Sequence, residues 1–191
     1  RQAQNNVHTS TISIKGAELG GENPLPIFRN QKRDRSVKFL NEFSAEQTHL
    51  VGYETGEIYL PHRWQDRYTR ELAQKDIETV VLENEYLRAT FLPGLGGRLY
   101  SLFSKENEQE LLFTNPILQF ANLSILNAWF SGGIEWNMGQ YGHTFGTCAP
   151  VHVAKLNDEA GNEFIRIYDY ERTRNFYWAI DCHLPTGAKN L

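Results

Sequence analysis

Beyond residue 77, apolar and polar residues alternate with a period of two, the pattern of strands that turn one face to a core. Residues 77–82 read as a strand, and Asn84-Glu85 as the turn after it. Residues 86–92 follow, with Leu87, Ala89 and Phe91 expected on one face and Arg88 and Thr90 on the other. Pro93-Gly94-Leu95-Gly96-Gly97 predicts a tight turn, because glycine tolerates positive φ. Residues 98–104 form the third strand, and a polar turn leads into a fourth at 110–113. Residues 116–130 lose the alternation and predict a short helix or a long crossing loop. Residues 151–156 and 163–171 flank a turn-rich stretch as a hairpin, and a last strand covers 176–184.

The first 76 residues are patterned less clearly. Thr11-Ile12-Ser13-Ile14 alternates and predicts one short edge strand. Gly20 to Pro26 is turn-rich, and the charged stretch to Asp76 suggests at most a helical turn near Arg70-Glu71-Leu72. The expected organisation is an N-terminal arm over 1–76 laid on the first part of a β-sandwich over 77–191. Short strands at close spacing with turn-rich breaks predict a mainly β, antiparallel sandwich or barrel.

Composition narrows the function classes. Net charge is −4, with 19 basic and 23 acidic residues, which argues against a nucleic-acid surface. The densest basic cluster, Arg29, Lys32, Arg33 and Arg35, is interrupted by Asp34 and reads as a solvated loop as readily as a phosphate site. No apolar run reaches the roughly 18 residues of a membrane helix. Aromatic residues make up 13% of the chain, which suits both sheet packing and stacking on sugar rings. Cys148 and Cys182 leave one disulfide open, with no spacing that demands it. The chain opens on Arg1 and holds a single methionine, Met138, so it is expected to be a processed or excised piece that continues past Leu191. Localisation, cytoplasmic or periplasmic, stays open on these grounds.

Chemistry concentrates between Trp129 and His143. This stretch of fifteen residues holds four glycines, two tryptophans, one glutamate and one histidine. Glycines let backbone approach a ligand closely. Glu135 and His143 form a candidate acid–base pair for proton transfer at a sugar, and Trp129, Trp136 and Tyr141 a candidate stacking wall, with Asn137 beside them. Glu135 binding backbone N–H groups and His143 as a structural residue are the competing readings. Arg98, after Gly96-Gly97, could grip hydroxyls through its planar guanidinium or make a salt bridge across the sheet. His62, Arg63 and Trp64 form a weaker contact group, while His152 and His183 read as sheet-face residues. Phosphate-binding, nucleophile-elbow and zinc-protease motifs are absent, and no cofactor or metal is expected. Asn157, Asp158 and Glu159 suggest calcium only faintly, because Gly161 marks an ordinary hairpin loop.

Two stretches also resemble a known family. Glu83 to Leu99, with its strand, Pro93, Gly96-Gly97 and Arg98, resembles the opening hairpin of galactose mutarotase-like (aldose epimerase) domains. The Gly132-Gly133-Ile134-Glu135-Trp136-Asn137 and Gly142-His143 elements are most similar to a bacterial branch, the domain-of-unknown-function family 5107. The resemblance covers roughly residues 20 to 191 and implies a large antiparallel supersandwich, incomplete in this chain. It implies a saccharide ligand on a sheet face, near Arg98, Glu135, Trp136 and His143. The general-base glutamate of mutarotases comes from the later half of the domain, so that role does not transfer to Glu135. His143 likewise lacks the family's histidine pattern. The resemblance further implies a C-terminal helical-repeat module in the full protein, and open sheet edges would allow a homodimer. Three readings follow: part of an epimerase or glycoside-processing enzyme, a non-catalytic carbohydrate-binding module, or a scaffold for protein partners.

Overall fold

A computed structural model describes residues 5–23, 26–27, 60–123, 127–138, 143–172 and 175–191. Every regular element among them is a strand. The chain's mainly β, sandwich-like fold follows from the period-two pattern described above.

A six-stranded sheet runs in the order β7-β6-β5-β4-β1-β8. Its members are β1 (Asn6–Gly16), β4 (Ala73–Glu83), β5 (Leu87–Leu92), β6 (Arg98–Ser104), β7 (Gln109–Glu110) and β8 (Ile117–Leu118). All neighbours are antiparallel except β1 and β8. A second sheet holds β11 (His152–Asn157), β12 (Glu163–Glu171) and β13 (Phe176–His183) in that order. Two short pairs complete the fold: β2 (Pro26–Ile27) with β3 (Leu60–Arg63), and β9 (Ala121–Asn122) with β10 (Ala128–Trp129).

A layer of side chains packs on each face of the larger sheet. On one, Leu82, Leu87, Ala89, Phe91 and Leu99 pack against Ile165, Ile167, Cys182 and Leu184 of the smaller sheet and its exit. On the other, Ile14, Leu92 and Leu95 meet Leu118, Phe120, Ala128, Phe130 and Cys148. Each large side chain here contributes about 1.5–3 kcal/mol by leaving water. Leu87, Ala89 and Phe91 share the expected face, and Thr90 is buried on the other. The two cysteines sit in different clusters as free thiols.

Several strand expectations shift. β1 is eleven residues long and pairs with β4 along its whole length, with β8 beyond it, so it is not a short edge strand. Its middle, Thr9 to Thr11, is exposed on both faces, which hides the apolar alternation there. β4 begins at Ala73 because Gln74, Lys75 and Asp76 still pair with β1 while lying beyond the core. No helical turn forms at Arg70-Glu71-Leu72. The fourth strand shrinks to Gln109–Glu110. The Glu110 carboxylate accepts the N–H groups of both Leu102 and Leu112, and Leu111 and Phe113 turn out to solvent. The stretch 116–130 carries β8, β9 and β10 among its described residues rather than a helix.

Two side-chain amides clasp distant parts of the chain. Asn5 donates to the Glu163 carbonyl and accepts its N–H, and the Glu163 carboxylate takes the Val7 N–H at 2.6 Å. Asn84 donates to the carbonyls of Pro185 and Ala188.

Candidate functional site

The site is built on the free margin of β6. β7 covers only Phe103 and Ser104, and the open Leu99 end pairs with Ile134 through two backbone hydrogen bonds of 3.0 and 2.9 Å. This bridge lays the 131–136 segment alongside the sheet. Gly133 makes it feasible: its φ is +66°, and a Cβ there would run into the Leu99 carbonyl. On the other side, Gly96 (φ +72°) donates to the Ala149 carbonyl, and a Cβ would lie 2.5 Å from the Thr147 oxygen. The two glycine-dependent contacts bring 96–99, 130–136 and 147–149 together.

Arg98 sits at the centre of this junction and is 2% exposed. Nη1 donates to the carbonyls of Phe130 (2.5 Å) and Gly132 (3.0 Å), and Nη2 donates to the Thr147 hydroxyl (3.1 Å). The guanidinium carbon lies 3.6 Å from the centre of the Phe130 ring. Burial pushes the guanidinium's pKa below its usual value, with Cys148 and Glu135 pulling the other way. These contacts turn Arg98 inward. It fixes the backbone on which the loop residues stand.

Glu135 is the convergence point above it. Oε2 accepts the Thr147 hydroxyl at 2.9 Å and lies 3.7 Å from Arg98 Nη2. Oε1 is 2.5 Å from His143 Nδ1 and 3.4 Å from Trp129 Nε1. A carboxylate only accepts, so Nδ1 is the donor in this contact and Nε2 is the ring nitrogen left to a ligand. The Glu135 side chain is 16% exposed and that of His143 45%, so the imidazole is the member of the pair that meets solvent. The Trp129 ring stands edge-on to it, with centroids 6.1 Å apart.

Thus Arg98, Trp129, Glu135 and His143 are neighbours, and Thr147, which carries no sequence signal, joins them. Trp136 faces elsewhere. Its Nε1 donates to the Gly97 carbonyl at 2.7 Å, and the ring packs against the core between the two sheets. Asn137 is exposed. Tyr141 lies outside the described residues, as do the basic cluster at 29–35 and the side chain of His62. His152 stacks on Tyr168 and His183 on Phe164, consistent with sheet-face roles. The Asp158 carboxylate holds the Asn162 N–H and side-chain amide, which closes the hairpin loop and keeps its pKa below the usual value. No cluster of three metal-ligating side chains occurs among the described residues. A separate cleft of about 350 Å³ lies over β1 and β4, lined by Thr9, Ser10, Thr11, Glu78 and Thr79, and shares no residue with the Glu135 cluster.

Comparison with known proteins adds a family and a fold. The model of the family described as "Domain of unknown function (DUF5107)" matches residues 54–191. The crystal structure of a TPR-domain containing protein from Parabacteroides distasonis superposes with a TM-score of 0.68 at 16% sequence identity. That match takes in 98% of this chain and 28% of the other, so the chain spans under a third of that protein's length, and the likeness is one of fold.

Proposed function

This chain belongs to the DUF5107 family, and we propose that within it the Trp129–Glu135–His143 cluster binds a saccharide and moves a proton at one of its hydroxyls. The observation that carries the reading is the 2.5 Å contact between Glu135 and His143, backed by Thr147 and the buried Arg98. In this scheme His143 accepts or returns the proton through Nε2. Glu135, with both oxygens engaged from within, sets the ring's tautomer and orientation. Trp129 sets an indole beside the imidazole, and the face of such a ring suits the C–H face of a sugar. The resemblance of residues 83–99 to mutarotase-like hairpins supports a sugar as the ligand. Arg98 acts through the loop rather than on the ligand.

The test is a titration of the full protein with mono- and disaccharides, following ligand NMR signals, together with anomer exchange on any sugar that binds. His143→Gln is expected to keep the fold and most of the affinity while losing exchange. Glu135→Gln is expected to slow exchange by about 10²–10⁴-fold, the usual range for a positioned acid–base group. Normal exchange in both variants would remove the dyad from catalysis. Silence across the whole sugar panel would favour a scaffold role, a second reading supported by the fold shared with a TPR-domain containing protein.

A further inference from the structure

Among the described residues, Thr147 is the side chain that hydrogen-bonds to both Arg98 and Glu135, at 3.1 and 2.9 Å, and it is 3% exposed. Its neighbours fix which way the hydroxyl points. A guanidinium only donates, so Oγ1 accepts from Arg98 Nη2 and its own proton goes to Glu135 Oε2. The backbone around Thr147 is held as well. The Ala149 N–H donates to the Gly146 carbonyl, and the Gly96 N–H donates to the Ala149 carbonyl at 2.8 Å. A branched Cβ restricts χ1 of the threonine itself. The hydroxyl is thus a fixed donor aimed at one oxygen of Glu135. Without it, the carboxylate has another partner within reach. Arg98 Nη2 lies 3.7 Å from Oε2, too far for a hydrogen bond but near enough to close on once the hydroxyl is gone. Opposite charges away from water attract strongly. A carboxylate that turns toward Arg98 carries Oε1 away from His143 Nδ1, which it now meets at 2.5 Å.

We propose that Thr147 is the positioning residue of the dyad. Its hydroxyl holds Glu135 off the guanidinium and keeps Oε1 on Nδ1. The hydrogen bond at one ring nitrogen decides where a neutral imidazole keeps its proton, so the neutral His143 ring carries it on Nδ1 and its lone pair on Nε2. Such a ring takes a proton from a ligand hydroxyl. The O–H bond breaks, its electron pair stays on the ligand oxygen, and the new N–H forms at Nε2. The Glu135 carboxylate balances the imidazolium that results. Thr147 touches no ligand in this scheme and acts through Glu135. The reaction it serves rests on the sugar reading above, whereas the positioning is a property of the sugar-free protein.

The experiment reads the ring-nitrogen chemical shifts of His143 in the full protein by ¹⁵N NMR, assigned with His143→Gln. Spectra are taken without sugar, at the alkaline plateau of the ring's titration, where it is neutral. The parent is expected to show Nδ1 at the protonated shift and Nε2 at the unprotonated one. Thr147→Val keeps the shape of the side chain and deletes the hydroxyl, and is expected to move the two shifts toward each other. Thr147→Ala makes the same deletion without added bulk and is read in its place if circular dichroism shows the valine variant unfolded. Thr147→Ser restores the donor and is expected to keep the parent pattern. With any sugar that binds, Thr147→Val is expected to slow anomer exchange and leave affinity unchanged. A parent ring protonated on Nε2, parent shifts in the valine or alanine variant, or a serine variant as disturbed as either would overturn the proposal. The shifts are read without sugar, so a failed sugar titration leaves them standing, and their failure leaves sugar binding untouched.

Discussion

Replacing Arg98 by methionine keeps a long apolar stem and deletes the charge at the centre of the site. Two backbone carbonyls, of Phe130 and Gly132, lose their donor, and so does the Thr147 hydroxyl. Each buried group left unpaired costs about 1–3 kcal/mol. Loss of the stacked Phe130 contact removes about 1–2 kcal/mol more. Relief of the guanidinium's desolvation, several kcal/mol in the opposite direction, offsets part of this. The net expectation is a loss of about 3 kcal/mol, at the lower end of the 3–5 kcal/mol range for breaking a buried ionic contact. With a urea slope of about 2 kcal/mol/M, the unfolding midpoint should fall by about 1.5 M. Arg98→Lys should recover little, because one ammonium cannot span two carbonyls and a hydroxyl in the plane of the fork. A midpoint within about 0.3 M of the parent in Arg98→Met would refute the argument that these bonds hold the loop.

Other outcomes follow from the same geometry. Gly133→Ala places a methyl against the Leu99 carbonyl in a left-handed backbone, so the 133–134 bridge should open; thermal unfolding should report a loss of about 1–3 kcal/mol, and none if the bridge is dispensable. Burial pushes the Cys148 thiol up to about 12 and that of Cys182 up to about 11, so at pH 8 iodoacetamide should label neither until urea unfolds the chain; rapid labelling of the native protein would contradict the packing. The Lys155 ammonium, then the Val7 N–H, hold the Glu163 carboxyl below its ordinary value of 4.5. Its contribution to stability is therefore present above that pH and is lost as pH falls through the lower folded value. Glu163→Gln should make acid unfolding shallower in that window, and an unchanged acid limb would exclude Glu163 as a contributor.

The sequence was legible where the alternation runs undisturbed. β6 and β12 lie at their expected positions because each carries side chains that meet a packed layer. β1 was half hidden because the exposed run from Thr9 to Thr11 interrupts its pattern. The strand at 110–113 was overcalled because Leu111, Leu112 and Phe113 look like core, whereas the Glu110 side chain takes over the backbone donors and ends the ladder. At the site, glycine density with one glutamate and one histidine marked the stretch in which Glu135 and His143 meet. Thr147 was missed, since its link to Arg98 spans 49 residues and depends on how two turns meet. Trp136 shows the same limit. A tryptophan next to Glu135 looks like its partner, yet adjacent residues on an extended segment face opposite ways.

The clasp between distant parts of the chain bears on how the protein is made. Asn5 and Glu163 are separated by 158 residues, and Asn84 and Ala188 by 104. At about 5–20 residues per second of synthesis, β1 waits on the order of 10–30 s for Glu163 to emerge. Its partner β4 arrives sooner, but the layer that covers their shared face does not. During that interval Val7, Leu82 and Phe91 present an uncovered apolar face on a growing chain. The stretch 163–188 thus acts as the closing segment that ends the exposure of the half-made sheet.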